Sequence, residues 1–145
     1  MKKWVMEVNK IKTSTIYGVF GKREIEFRAW PKRRRTKMIC KVVQIDFDVK
    51  RILLLDIERN IQLGWYGFDE IELIQYTGFK DKNGVKIFEG DIVKTPTRKG
   101  KIQFIWSGWY FHTDKDGFVE LHDVTDIIEV IGNIYENKEL LNENN

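Results

Sequence analysis

Two histidines, His112 and His122, lie close in sequence to Asp114, Asp116, Glu120 and Asp123, side-chain types that ligate divalent metals. Their spacing matches no ligand motif. A short turn around Lys115-Asp116 sets His112 opposite Val119 or Glu120, away from His122, so the sequence implies no metal site and no cofactor. "DKNG" at 81–84 and "DKDG" at 114–117 repeat the start of a calcium loop, yet neither is followed by the later ligands or the closing glutamate. Both read as turns. Nucleophilic chemistry has less to work with. The single cysteine, Cys40, sits among Met38 and Ile39 as a small buried side chain would. The Glu70/Glu72 pair falls in strand alternation and reads as a solvent face. No glycine-rich phosphate loop precedes a helix. The expectation is a protein that is not an enzyme.

Binding chemistry is better represented. Lys32, Arg33, Arg34, Arg35 and Lys37 crowd one short segment and make a field that could meet a phosphate backbone. The plainer reading is a solvated turn between strands, with Trp30 directly before it. Five tryptophans form a second candidate feature. Trp65-Tyr66 and the stretch Trp106 to Tyr110 could line a groove for an extended peptide, although a small β-domain also builds its core from large rings.

These residues need elements to hold them. In a chain of 145 residues, hydrophobic types at 42% and charged types at 32% describe one globular domain or two very small ones. One cysteine fits a reducing compartment, and no apolar run approaches the ~18 residues of a membrane span, so a cytoplasmic location without membrane contact is expected. "REIEFRAW" alternates Ile25, Phe27 and Ala29 with charged residues, the period of a half-buried strand. After Pro31, "KMICKVVQIDFDV" changes phase near Val42-Val43, as a bulge would require. "RILLLDI" reads as either a buried strand or a helical turn. Asn83-Gly84 is the signal of a type I′ hairpin, and Ser107-Gly108 and Asp116-Gly117 mark two more reversals. Ser107-Gly108 would make Trp106 and Trp109 cross-strand neighbours. "KELLNENN" reads as a short helix or a frayed tail.

Charge divides the chain unevenly. Residues 1–51 carry 15 Lys and Arg against 5 Asp and Glu, whereas residues 52–145 carry 10 against 17, for a net charge of +3. Oppositely charged halves can attract within or between copies, and the basic half can meet an acidic partner.

Three blocks, "REIEFRAW", "IELIQYTGFKDKNGVKIFEGDIV" and "EVIGNIYENKEL", resemble the YopX family of phage and prophage proteins in content, order and spacing. The resemblance covers about residues 23–141. Tyr76, Thr77, Gly78, Asp81, Asn83, Gly84, Glu89, Gly90, Asp91, Gly132 and Asn133 carry it as structural motif residues. It implies a mainly β protein of two small modules, the C-terminal one an SH3-like barrel. The divisions are an N-terminal extension at 1–22 (an arm or an extra strand), a β module at 23–75 and the barrel at 76–145. Two departures stand out: about 22 residues precede the usual start, and Lys138 replaces a proline. The resemblance implies no assigned activity. The expected role is a binding or self-assembling module whose partner is its own copies or another protein. The alternative is nucleic-acid binding through Lys32–Lys37.

Overall fold

The computed structural model describes residues 23–33 and 37–142, and the N-terminal extension lies outside them, as do Arg34 and Arg35. The chain is mainly β and forms two antiparallel sheets. In chain order the strands are β1 (Phe27–Pro31), β2 (Cys40–Asp46), β3 (Arg51–Asp56), β4 (Ile61–Gly67), β5 (Ile71–Lys80), β6 (Lys86–Phe88), β7 (Asp91–Lys94), β8 (Lys99–Ile105), β9 (Gly108–Thr113), β10 (Gly117–Glu120) and β11 (Glu129–Asn133). One sheet runs β4-β3-β2-β1-β5-β6 and the other β10-β9-β8-β7-β11. The only helical pieces among the described residues are short 3-10 turns, including one at Lys138–Leu141 in the expected short terminal helix.

Local chemistry explains the reversals. "RILLLDI" is a strand, because Asp46 and Asp56 close turns on either side of it. Asp46 Oδ1 accepts the N–H groups of Asp48 and Val49 at 3.1 and 3.2 Å, and Asp56 Oδ1 those of Glu58 and Arg59 at 3.0 and 3.1 Å. The phase change in β2 is real, since the register with β3 shifts between Val42 and Gln44 and leaves Val43 as the extra residue. Ile25 departs from expectation: the strand starts at Phe27, and Ile25 is 73% exposed. The Asn83-Gly84 turn also differs. Only Gly84 takes positive φ, at 79°, while Gly84 N–H donates to Asp81 O and Asp81 N–H to Val85 O. That pattern is a type I turn finished by a left-handed glycine.

Strand β5 has two partners in the six-stranded sheet. Residues 71–75 pair with β1, and beyond them Tyr76 and Lys80 pair with β6. Its alternating faces feed different cores. Ile71 joins Ala29, Cys40, Ile52 and Leu54, whereas Ile74 and Tyr76 pack with Phe88 and, less deeply, Trp30, Ile39 and Tyr135. A third cluster of Ile87, Val93, Ile102, Phe111, Leu121 and Ile128 fills the C-terminal half.

Asp81 ties the turn after β5 to β11. Its buried carboxylate accepts the N–H groups of Asn83 at 2.8 Å, Val85 at 2.9 Å and Val130 at 2.9 Å. Burial alone would push this carboxyl up, but the three donors outweigh it and hold the group below the usual aspartate value. Replacing Asp81 with Asn turns an amide toward the Val130 N–H and leaves a buried donor without an acceptor. A loss of about 2 kcal/mol is expected, read as a lower urea midpoint at unchanged slope, with a larger loss for Asp81→Ala.

Candidate functional site

The residues that carry the resemblance lie along β5, in the β5–β6 turn, in the β6–β7 connection that crosses between the sheets and at the end of β11. Thr77 Oγ1 donates to Ile87 O at 2.8 Å and accepts the Phe79 N–H at 3.1 Å, and Gly78 sits where the β5–β6 register shifts. Glu89 N–H donates to Gln75 O, and Gly90 N–H to Ile102 O. A side chain at Gly90 would meet Ile134 and Tyr135 at 3.2 Å with φ at +80°, so glycine is required there. Gly132 lies against Asn137, and Asn133 Oδ1 accepts the N–H groups of Tyr135 and Glu136.

Asp91 has the most perturbed chemistry among these residues. Its Oδ2 accepts the Phe88 N–H at 2.8 Å in a crevice that Arg28, Ile74, Asn133 and Tyr135 also line. The Arg28 guanidinium stacks 3.8 Å over the Phe88 ring, and Trp30 stacks on Tyr135 at 5.6 Å. Burial pushes the Asp91 carboxyl up to about 7, against the downward pull of the Phe88 N–H and the Arg28 charge. The folded chain therefore keeps a proton that the unfolded chain releases near 3.8, so stability falls as pH rises from about 4 to 7. The slope is about 1.4 kcal/mol per pH unit from this group alone. Asp91→Asn cannot ionise and should flatten the melting temperature between pH 5 and pH 8.

The expected sites fare unevenly. In the basic loop, Lys32 Nζ is held by Glu72 at 3.2 Å and by the Asp69 carbonyl at 3.3 Å, while Arg33 and Lys37 are exposed. His112 faces Phe118 instead of Val119 or Glu120, with the two rings stacked at 4.3 Å. The β9–β10 loop is one or two residues shorter in register than the sequence implied. His122 sits apart from His112. Its Nδ1 is 3.3 Å from Glu120 Oε2 and its Nε2 3.0 Å from Asp123 Oδ1, all three side chains exposed. Glu70 Oε2 accepts the Gly67 N–H at 2.7 Å, which caps a 3-10 turn, so Glu70 does structural work instead of merely facing solvent.

The β8–β9 hairpin departs furthest from expectation. Ile105 pairs with Gly108, so Trp106 and Ser107 themselves form the turn, with φ of 47° and 65°. Phe104, not Trp106, is the cross-strand neighbour of Trp109, at 4.9 Å between ring centroids. A bulky residue at positive φ is rare. Trp106 holds that conformation while 74% exposed, edge-on to Tyr110 at 5.7 Å and Phe118 at 5.2 Å. Among the other described tryptophans, Trp109 packs against the C-terminal core, and Trp65 is 40% exposed beneath the Arg51 guanidinium. Core and surface thus divide the rings between them. Alternation along β8 located Trp106 but gave no sign that it occupies the turn.

The family model described as YopX protein matches residues 26–142. The chain belongs to the YopX family. Among solved structures it is similar to protein EF1440 from Enterococcus faecalis, with 26% identity, a TM-score of 0.56 and coverage of 83% of this chain and 99% of that one. It is also similar to yopX from Bacillus subtilis, a structural genomics target, with 18% identity, a TM-score of 0.54 and the same coverages. The second likeness speaks for the fold alone. No curated protein sequence matches the chain. The matched span includes β5, the crossing and β11, where the family-bearing blocks of the sequence lie. It begins at Glu26, three residues later than the resemblance suggested.

The turn carries a measurable cost. Asn and Gly suit the two positive-φ positions that Trp106 and Ser107 occupy, so Trp106→Asn with Ser107→Gly should stabilise the chain by about 1 kcal/mol or more. Calorimetry should show the melting temperature rising by roughly 2–4 °C.

Proposed function

We propose that this chain is a non-enzymatic phage or prophage accessory module that acts in the host cytoplasm by associating with its own copies along the β4 edge. The observation that carries the reading is the composition of that edge. Among the described residues β4 ends the six-stranded sheet, and "IQLGWYG" contains no charged residue and no proline. The other sheet edges, β6, β10 and β11, each carry a charge, at Lys86, Glu120 and Glu129. Soluble proteins guard exposed edges with charges, prolines or bulges, because unpaired N–H and C=O groups recruit further strands. Here one bulge at Leu63, beside the positive-φ Gly64, is the guard. Ile61 at 55% exposure and Trp65 at 40% add apolar surface beside the unpaired backbone. An antiparallel meeting of two β4 strands would extend the sheet across a twofold axis.

Binding without catalysis is supported by where the reactive side chains lie. Cys40 is fully buried, and the histidines are held apart against Phe118 and two surface carboxylates. The phage setting rests on the family resemblance. No helix among the described residues is long and apolar enough to cross a membrane. A division near residue 75 into an N-terminal module and a C-terminal SH3-like barrel belongs to the same proposal, and the separate apolar clusters of the two halves favour it. A second reading, nucleic-acid contact through Lys32–Lys37, is weakened by the Glu72 carboxylate on Lys32.

Light scattering over a concentration series tests the favoured reading. The wild-type chain should reach twice the mass of one chain, and Ile61→Lys should return it to a single chain with an unchanged far-UV circular dichroism spectrum. A single-chain mass at every concentration would reject edge pairing.

A further inference from the structure

We infer that the solvent face of the five-stranded sheet binds single-stranded nucleic acid, its lysines taking phosphates and its rings taking bases. The register defines that face. Val93 and Gly100 are partners, as are Ile102, Phe111 and Val119 across β8, β9 and β10, and these point to the core. Alternation then sends Lys99, Lys101 and Gln103 of β8 outward, with Tyr110 and His112 of β9 and Phe118 of β10. Lys101, His112 and Phe118 are directly opposite one another in one row across three strands. The next member of that row, Ile92 of β7, is fully buried, so the open part of the face spans β8 to β10 and the Lys94 end of β7.

The face grades from cationic to aromatic. At its β7–β11 side, Lys94 is the partner of Lys99, and together with Lys82 they line an open cleft floored by Thr95, Thr97 and Ile131. Glu129 lies between Lys82 and Lys94, at 3.4 and 3.5 Å. Lys101 has no ion-pair partner among the described residues. At the other side stand His112 stacked on Phe118, then Tyr110, then Trp106 at the hairpin tip. Lys99 Nζ donates to the Leu140 carbonyl at 3.4 Å, and Lys82, Lys94 and Lys101 still outnumber Glu120 and Glu129 on a half of the chain whose overall charge is negative. That local inversion of sign matches a polyanion. The ring row shows that planar groups already stack here, and Trp106 leaves most of its ring surface open. Phosphate-tracking cations beside exposed rings form the common platform for unpaired strands, whose bases offer their faces as duplex bases do not. The strained turn fits the same reading, because it displays Trp106 at an energetic cost.

This inference is independent of β4 pairing and of the basic loop, and its test separates the three. Fluorescence anisotropy would follow short labelled oligothymidylate, oligouridylate and a duplex of equal length at low salt. Binding of either single strand in preference to the duplex is expected, with a log–log salt slope of about −2 for three lysine–phosphate contacts. Trp106→Asn, which should fold at least as well as wild type, should weaken binding roughly tenfold at unchanged salt slope. Lys101→Glu should weaken it and make the slope shallower, whereas Ile61→Lys should leave it intact. Three results would overturn the inference: no retention of any single strand at low salt, equal affinity for the duplex, or loss of binding only when Arg33, Arg34 and Arg35 become alanine. Retention of a host protein that Trp106→Asn releases, with no oligonucleotide bound, would assign the face to a protein partner instead.

Discussion

One carboxylate holds the two ends of the C-terminal half together. Asp81 leaves β5 at the point where the chain must reverse into β6, and its three acceptor contacts reach both that turn and β11, forty-nine residues later. The Lys82 N–H beside it donates to Ile128 O, so the segment entering β11 is docked by side chain and backbone at once. With β11 fixed, β7 gains its outer partner, and the Gly90 carbonyl can accept the Ile134 N–H across the crossing. A hydrogen bond to a charged group is worth more than a neutral one, and the cost of burying this charge is recovered only while all three donors remain aimed at it.

The second constraint is that β5 cannot be assigned to one core. Its even and odd positions point into different apolar clusters, so a shift of one residue would exchange Ile71 and Ile74 with charged or exposed neighbours in both. This couples the register of the β1–β2–β3 sheet to the packing of Phe88 and Tyr135. Arg28 completes the coupling by covering Phe88 from β1 while lowering the energy of a charged Asp91. The YopX motif residues make sense in this light. Several of them lie along β5, in the turn after it and in the β6–β7 connection that joins the two sheets, and they satisfy backbone groups that no regular ladder reaches.

Much of this architecture is legible in the residues, for physical reasons. Alternation identifies the strands because each has one wet face, and the Val42-Val43 phase change announces a bulge because parity cannot otherwise switch. The errors cluster at turns. Asn83-Gly84 suggests two positive-φ residues, but Asp81 already supplies the side-chain acceptor that organises the loop, which leaves Gly84 alone to be left-handed. Ser107-Gly108 suggests a turn because glycine normally occupies one, and a single residue of slip hides the exposed tryptophan. Lys50 and Asn60 take positive φ in turns where Asp46 and Asp56 give the only advance notice. The outward face of lysines and rings is illegible for another reason: it needs the register of five strands, and charge totals along the chain point the opposite way.

Strain and exposure coincide at Trp106, and their coincidence carries meaning. A chain under selection for stability alone has an inexpensive remedy at this turn, since asparagine or glycine fits the backbone better and exposes no ring. Trp106 makes edge contacts with Tyr110 and Phe118, yet it remains 74% exposed itself. Packing therefore offsets only part of the cost. What remains is the property that the alternatives lack, a large planar surface held away from the sheet at a defined angle. Under the nucleic-acid reading proposed above, stability and surface recognition pull this residue in opposite directions.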